Sequence, residues 1–489
     1  MSHSQHNFLA DQHPLLEQLH ARSSSGEMHT GNSVVVLKDS GENFPAWLEA
    51  IEAAEEYVLI EMYIFAADDF GQRLRDLLIE KCHQGVRVVL VYDWLGSLWP
   101  VLRRFFMPLK QAGAEVVAYN PLGFASGFGL FSRDHRKSIV VDGHTAFVGG
   151  LCVSSAWEGN PAEGVVPWRD TGLKLQGPAV GEVVQALADT LHSQGKRLPE
   201  NIHPPCPAPA GTVRAGVIAT TPSNNNMMRL DLNALALANR NLWLTDAYFM
   251  PTRLYTQALI NAANDGVDVR ILVPRTSDIR WIGRVSRTRY RSLLEAGVRV
   301  FEWNGPMIHA KSAIADGQWA RVGSTNLNFA SWHMNRELDV VIEDAVVVRH
   351  LEQMFLQDLA NATEIVLNES ERRAAIRRRH QMLSRRRIGS RQQAQAAARQ
   401  LLQLSSVFRG NFYGTRTVDE NEAKSYLSLG ISMLVVVLLL WFAPYLLAGP
   451  VMLLLLAGGL STTVHAVRQL MRFHRQKNAA RKAGKPPPS

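Results

Sequence analysis

Residues 307–328 read MIHAKSAIADGQWARVGSTNLN, and the spacing inside this stretch organises the rest of the chain. His309, Lys311 and Asp316 stand at H-x-K-x-x-x-x-D, and Gly323-Ser324-Thr325-Asn326 follows. Period-two alternation predicts a strand over 308–315 with His309, Lys311, Ala313 and Ala315 on one face. One nitrogen that titrates near neutrality and one fixed positive charge then point the same way. The pair suits a phosphate ester, with an imidazole to attack or protonate and an ammonium to hold non-bridging oxygens. Ser324, Asn326 and backbone amides beside Gly323 would add hydrogen-bond donors. On its own, a single H-x-K is equally well an ordinary surface strand.

A second copy removes that ambiguity. Residues 134–152 read DHRKSIVVDGHTAFVGGLC, with His135, Lys137 and Asp142 at the same offsets and Gly149-Gly150 where Gly323-Ser324 sits. The match extends upstream: YVLIEMYIF (57–65), GVRVVLVYD (85–93) and AGAEVVAYN (112–120) line up with LWLTDAYFM (242–250), GVDVRILVP (266–274) and AGVRVFEWN (296–304). Self-similarity on this scale means a duplicated unit. Strands alternating with helical stretches predict an α/β layered fold, its near-continuous apolar strands covered on both faces.

The paired H-x-K-x-x-x-x-D blocks with their trailing G-G and G-S-x-N resemble the phospholipase D superfamily, and bacterial cardiolipin synthases above all. The resemblance covers about residues 31–344. It implies two homologous phospholipase D-like domains, each a mixed sheet flanked by helices, related by a pseudo-twofold axis. It further implies phosphatidyl transfer between phospholipids through a phosphohistidine, with His135 as nucleophile and His309 as general acid. Lys137 and Lys311 would neutralise the phosphoryl oxygens, and Asp170 and Glu337 would hold the imidazoles. Asp142 and Asp316 complete the catalytic sets, as supports rather than reactants. Ser324 and Asn326 would orient or bind phosphate. No cofactor and no metal are called for. One departure stands out: Cys152 occupies the position that matches Asn326, where asparagine is usual, and a thiol is a weak donor.

Charge distribution points to a lipid surface. The chain carries a formal net charge of +8, yet residues 372–399 hold ten arginines and no acid, and residues 464–489 hold seven Lys or Arg and no acid. Removing both leaves about −9 on the remainder, a poor match to nucleic acid and a good one to anionic headgroups beside the basic segments. Between those segments, residues 425–464 contain no formal charge. Pro444 and Gly449-Pro450 interrupt the run, which predicts a hairpin of two short membrane helices with both ends on the cytoplasmic side. The three cysteines, Cys82, Cys152 and Cys206, have no metal-ligand spacing and suit a reducing compartment.

The expected organisation follows. Residues 1–30 form a polar segment, 31–197 the first domain, 198–212 a Pro-rich linker and 213–370 the second domain. An Arg-rich helix (371–410), the hairpin (426–464) and a basic tail (465–489) complete the chain. Phospholipids are the expected partners, phosphatidylglycerol first, at a bacterial inner membrane. Hydrolytic phospholipase D activity uses the same residues, and only exclusion of water separates the outcomes. A membrane-tethered nuclease and a non-catalytic lipid-binding scaffold are the remaining alternatives.

Overall fold

The computed structural model describes residues 27–121, 132–160, 162, 164–200, 202, 207–368 and 373. The expected Arg-rich helix, membrane hairpin and basic tail lie outside these residues, apart from Arg373, as does most of the polar N-terminal segment. Among the described residues no helix is long and apolar enough to cross a membrane.

Seven strands come from the first half: β1 (His29–Lys38), β2 (Tyr57–Met62), β3 (Arg87–Asp93), β4 (Glu115–Tyr119), β5 (Lys137–Val141), β6 (Thr145–Gly149) and β7 (Thr171–Gln176). Eight follow in the second: β8 (Val213–Thr220), β9 (Asn241–Thr245), β10 (Asp268–Pro274), β11 (Arg299–Trp303), β12 (Ser312–Ala315), β13 (Trp319–Gly323), β14 (Glu337–Glu343) and β15 (Ala362–Ile365). Their order is β15-β11-β10-β9-β12-β13-β14-β8-β1-β7-β6-β5-β2-β3-β4. Read outward from the β8–β1 junction, the two arms match strand for strand, and β15 is an addition at one edge. The duplication read in sequence is therefore a repeated sheet. Within each arm the inner strands pair antiparallel, while β2-β3-β4 and β9-β10-β11 are parallel.

Helices cover both faces. In chain order they are α1 (Asp39–Glu52), α2 (Asp69–His83), the short α3 (Leu98–Leu102) and α4 (Met107–Gln111), and α5 (Val180–Ser193). The second half adds α6 (Asn226–Leu237), α7 (Arg253–Asn264), α8 (Arg280–Ala296), the short α9 (Phe329–His333) and α10 (Ala345–Ala360). α5 shows how sequence makes the layer: Val180, Val183, Val184, Leu187 and Leu191 recur at helical spacing and are all fully buried. They share a core with strand residues of both arms, including Leu173, Leu175, Leu338 and Val340. A separate core fills the outer layers of each half.

Two readings are corrected. Ser138 pairs with Glu61 and its repeat-mate Ser312 with Thr245, so Glu61 corresponds to Thr245 and not to Asp246. Aligning the strands by their shared tyrosine hides this one-residue offset. The strand expected over 308–315 is regular only from Ser312. Its first residues pair instead with the other half, Ile308 bridging to Arg169.

After β4, Asn120 donates from its side-chain amide to the Ser132 carbonyl at 2.9 Å.

Candidate active site

Antiparallel pairing sets the direction of every element at the site. β5 runs away from His135 and β12 away from His309, while β7 and β14 begin at Thr171 and Glu337. Crossed main-chain bonds join these four starts: the His135 amide donates to the Arg336 carbonyl at 2.9 Å, and the His309 amide to the Arg169 carbonyl at 2.7 Å. Each histidine backbone is thus tied to the opposite half.

Side chains repeat the exchange. His135 Nδ1 lies 2.9 Å from Glu337 Oε2, and His309 Nδ1 lies 2.8 Å from Asp170 Oδ2. The acids foreseen in the sequence meet the imidazoles, but each serves the histidine of the other repeat. All four groups are buried, as are Lys137 and Lys311. Lys137 Nζ donates to its own His135 carbonyl at 2.5 Å and lies over the Tyr63 ring. Lys311 Nζ lies 2.8 Å from His309 Nε2 and over the Tyr248 ring.

The trailing glycines explain how two acids of different length fit equivalent places. Ser324 Oγ donates to Glu337 Oε2 at 2.6 Å and accepts from the Leu338 amide at 2.9 Å. The Leu338 amide fixes the hydroxyl and its one proton goes to the acid, so in this arrangement Ser324 orients Glu337. At the matching position Gly150 carries no side chain, and a Cβ there would stand 2.1 Å from Asp170 Oδ1. The shorter Asp170 fills that space and takes a hydrogen bond from Trp157 Nε1 at 2.8 Å. Trp157, Trp168 and Tyr248 ring His309, and Tyr63 meets His135 edge-on at 4.8 Å. None of these aromatics was picked out in the sequence as a site residue. The nearest signals were Tyr63 and Tyr248 in matching strands and Trp168 just before Asp170.

Asp142 and Asp316 stand outside this cluster, correcting their place in the catalytic sets. Asp142 accepts the backbone N–H groups of Glu55, Glu56 and Tyr57 at 2.8–2.9 Å. Asp316 accepts those of Asn239, Arg240 and Asn241 at 2.8–3.0 Å. Each precedes a glycine, and both residues of each Asp-Gly pair have positive φ, the conformation a tight hairpin turn requires. The motif's aspartate therefore anchors the far end of its strand to the start of β2 or β9. Asp142→Ala should lower unfolding free energy by about 2 kcal/mol, three amides losing their acceptor, with turnover per folded molecule unchanged. Denaturant titration beside an active-site count checks both parts.

Burial governs protonation here. It pushes His309 down to about 4, helped by the Lys311 ammonium and opposed by the Asp170 carboxylate. His135 is likewise lowered by burial, against Glu337 and with Lys137. Lys311 falls to about 8, chiefly by burial. Burial alone would raise Asp170 and Glu337, but their histidines and the lysines overcome it and hold both below the usual carboxylate range. The resting site therefore holds carboxylates beside neutral imidazoles at neutral pH. Each Nδ1 donates to its acid, leaving Nε2 as the reactive nitrogen. Lys311 Nζ lies 2.8 Å from both ring nitrogens of His309, whereas His135 Nε2 has no hydrogen-bond partner among the described residues.

The Asn326 side-chain oxygen is buried without a partner among the described residues. Cys152, at the matching position, is buried, and burial raises its thiol. It stays a neutral, weak donor.

Two imidazoles on duplicated arms, each oriented from the opposite arm and accompanied by a lysine, make a site for a phosphodiester. The family model described as "Cardiolipin synthase, PLD-like domain" matches residues 47–160 and 232–359, one block in each arm. The probable cardiolipin synthase YwiE of Bacillus subtilis (strain 168) is 34% identical over 70% of this chain and 69% of its own length. The cardiolipin synthase of Geobacillus kaustophilus (strain HTA426) is 33% identical over 74% of this chain and 73% of its own. Among solved structures, the phosphatidylserine synthase of Haemophilus influenzae Rd KW20 shares the fold at a TM-score of 0.57 and 13% identity. That match covers 76% of this chain and 98% of that one. The chain belongs to the phospholipase D-like cardiolipin synthase family and is a phospholipase D-type phosphatidyltransferase.

Proposed function

We propose that the chain joins two phosphatidylglycerol molecules into cardiolipin and releases glycerol, by way of a phosphohistidine on His135. The observation that carries this reading is the unpartnered His135 Nε2, beside a His309 whose ring nitrogens both lie 2.8 Å from Lys311 Nζ. His135 Nε2 attacks phosphorus of the donor lipid, the bond to the glycerol headgroup oxygen breaks, and His309 gives that oxygen its proton. The hydroxyl of a second phosphatidylglycerol then attacks phosphorus, His309 takes its proton, and the P–N bond breaks. The negative phosphodiester opposes the burial that lowers His309, so its binding favours the imidazolium needed in the first step. Lys137 and Lys311 stabilise charge on the non-bridging oxygens, and the Asn326 carboxamide adds a neutral donor.

Asp170 and Glu337 keep the imidazoles in the tautomer with Nε2 free for chemistry. The buried site limits water, which favours transfer to a lipid hydroxyl over hydrolysis. Residues 426–464 would hold the enzyme in the cytoplasmic membrane as a hairpin with the catalytic body inside the cell, which raises the effective concentration of substrate at the site. The test is incubation of detergent-purified full-length protein with phosphatidylglycerol, followed by mass spectrometry. Cardiolipin with equimolar glycerol is the expected result. Phosphatidate as the sole lipid product would make the chain a hydrolase.

A further inference from the structure

Among the described residues, the connections that leave the histidine edge of the sheet hold most of the exposed large hydrophobic side chains. Because β5 and β12 start there and pair antiparallel with β2 and β9, the parallel strands beside them end there. The connections from β3 to β4, β6 to β7, β10 to β11 and β13 to β14 all leave the sheet on this edge. They contain ten of the fifteen exposed large hydrophobic residues among those described, Trp99, Leu102, Val166, Trp281, Val285 and Phe329 included. Trp99 and Trp281 are 70% and 58% exposed and occupy matching connections, after β3 and after β10. Trp99 and Trp281, each within seven residues of a strand that ends at this edge, mark it as an interaction face.

Hydrogen bonds tie both connections to the catalytic groups. Asp93 accepts from the Asp134 amide, next to His135, and from the amides of Leu95 and Gly96 that lead into α3. Asp278, just before α8, accepts from the hydroxyl of Tyr248, whose ring faces His309. On α8 the buried face is Ile282, Ser286, Tyr290 and Leu293, and the exposed stripe is Trp281, Arg284, Val285 and Thr288.

Charge identifies what the face meets. Residues 94–111 hold Arg103, Arg104 and Lys110 and no acid, and residues 279–294 hold five arginines and no acid. Arg287 and Arg291 are engaged by Glu302 and Glu295, while Arg103, Arg104, Arg284 and Arg289 are exposed. Arg103, Arg104, Arg284 and Arg289 thus form exposed basic patches on a body whose charge apart from its two basic segments is about −9. Aromatic side chains beside exposed arginines match an anionic bilayer surface, with indole rings at headgroup depth and guanidinium groups on phosphates.

We propose that this edge docks onto an anionic bilayer, Trp99 and Trp281 entering the headgroup layer from the two arms with the catalytic pocket between them. The inference rests on the reading of phospholipid as substrate and adds to the anchor a surface that turns the site toward the membrane. Hydrogen exchange on the full-length protein in nanodiscs tests it without reference to turnover. Discs rich in phosphatidylglycerol should slow exchange in peptides 94–111 and 279–294 relative to discs of phosphatidylcholine, and Trp99→Ser/Trp281→Ser should remove most of that protection. The same variant should turn over phosphatidylglycerol discs about tenfold more slowly, two interfacial anchors being lost, and monomeric dihexanoyl-phosphatidylglycerol at the unaltered rate. Equal protection in both discs and in detergent would mean that the chain's own segments cover the face, and protection that rises with protein concentration would mean a second copy. Either result, or no protection at all, overturns the proposal. Docking with no lipid product would instead leave the face standing and remove the phosphatidyl-transfer reading.

Discussion

His135→Ala and His309→Ala should each reduce formation of cardiolipin from phosphatidylglycerol by about 10⁴-fold or more, since each removes a group that makes or breaks a bond to the reacting atoms. The two variants should part company on an activated phosphodiester. A p-nitrophenolate leaving group needs no proton, so His309→Ala should still release it in a burst and retain phosphorus on the protein. His135→Ala should release none. Peptide mapping of the labelled protein under alkaline conditions, where phosphohistidine survives, should place the label on residue 135. Label on residue 309, or a burst from His135→Ala in place of His309→Ala, would exchange the two roles. An unchanged rate in either variant on the natural lipid would remove the mechanism.

The second large effect follows from the crossed pairs. Glu337→Gln should lower kcat by about 10²–10³-fold, because the amide neither fixes the His135 tautomer nor stabilises the charge that develops as His135 attacks. Asp170→Asn should cost about as much on phosphatidylglycerol. On the activated ester Glu337→Gln should remain impaired in the burst, and Asp170→Asn should not, because Asp170 serves the proton donor of the other repeat. pH adds a sign. The Glu337 charge raises His135 against burial, so removing it moves His135 further down. The acid limb of kcat/KM, where the nucleophile becomes protonated, should then shift to lower pH in Glu337→Gln. A shift to higher pH, or a burst defect confined to Asp170→Asn, would mean that each acid serves its own half.

Much of this site was legible before any fold was known. Two copies of H-x-K-x-x-x-x-D at constant offsets identify His135, Lys137, His309 and Lys311, because side-chain direction alternates along an extended segment and a two-residue step preserves it. Asp170 and Glu337 follow from the family resemblance, as downstream acids that match its pattern. The motif's own aspartates show the limit of spacing. Five residues beyond the lysine an acid looks like part of the same constellation, yet a strand rises about 3.3 Å per residue, which carries Asp142 and Asp316 to the far end. A cue was available, since Asp-Gly between apolar runs is a hairpin signal.

The linear chain alone determined the duplicated unit, the strand-and-helix content of each copy, and the kind of atoms brought to phosphorus, because these follow from local periodicity and residue type. The folded molecule decided which acid holds which histidine, since Glu337 and His135 are 202 residues apart and only the antiparallel closing of the two arms brings them within 2.9 Å. It likewise decided that Ser324 gives its proton to an acid, that Gly150 must lack a side chain, and that Trp99 and Trp281 follow strands that end on the catalytic edge. Each of these depends on which chain ends share one edge of a sheet, and sheet pairing joins residues whose separation along the chain carries no record of it.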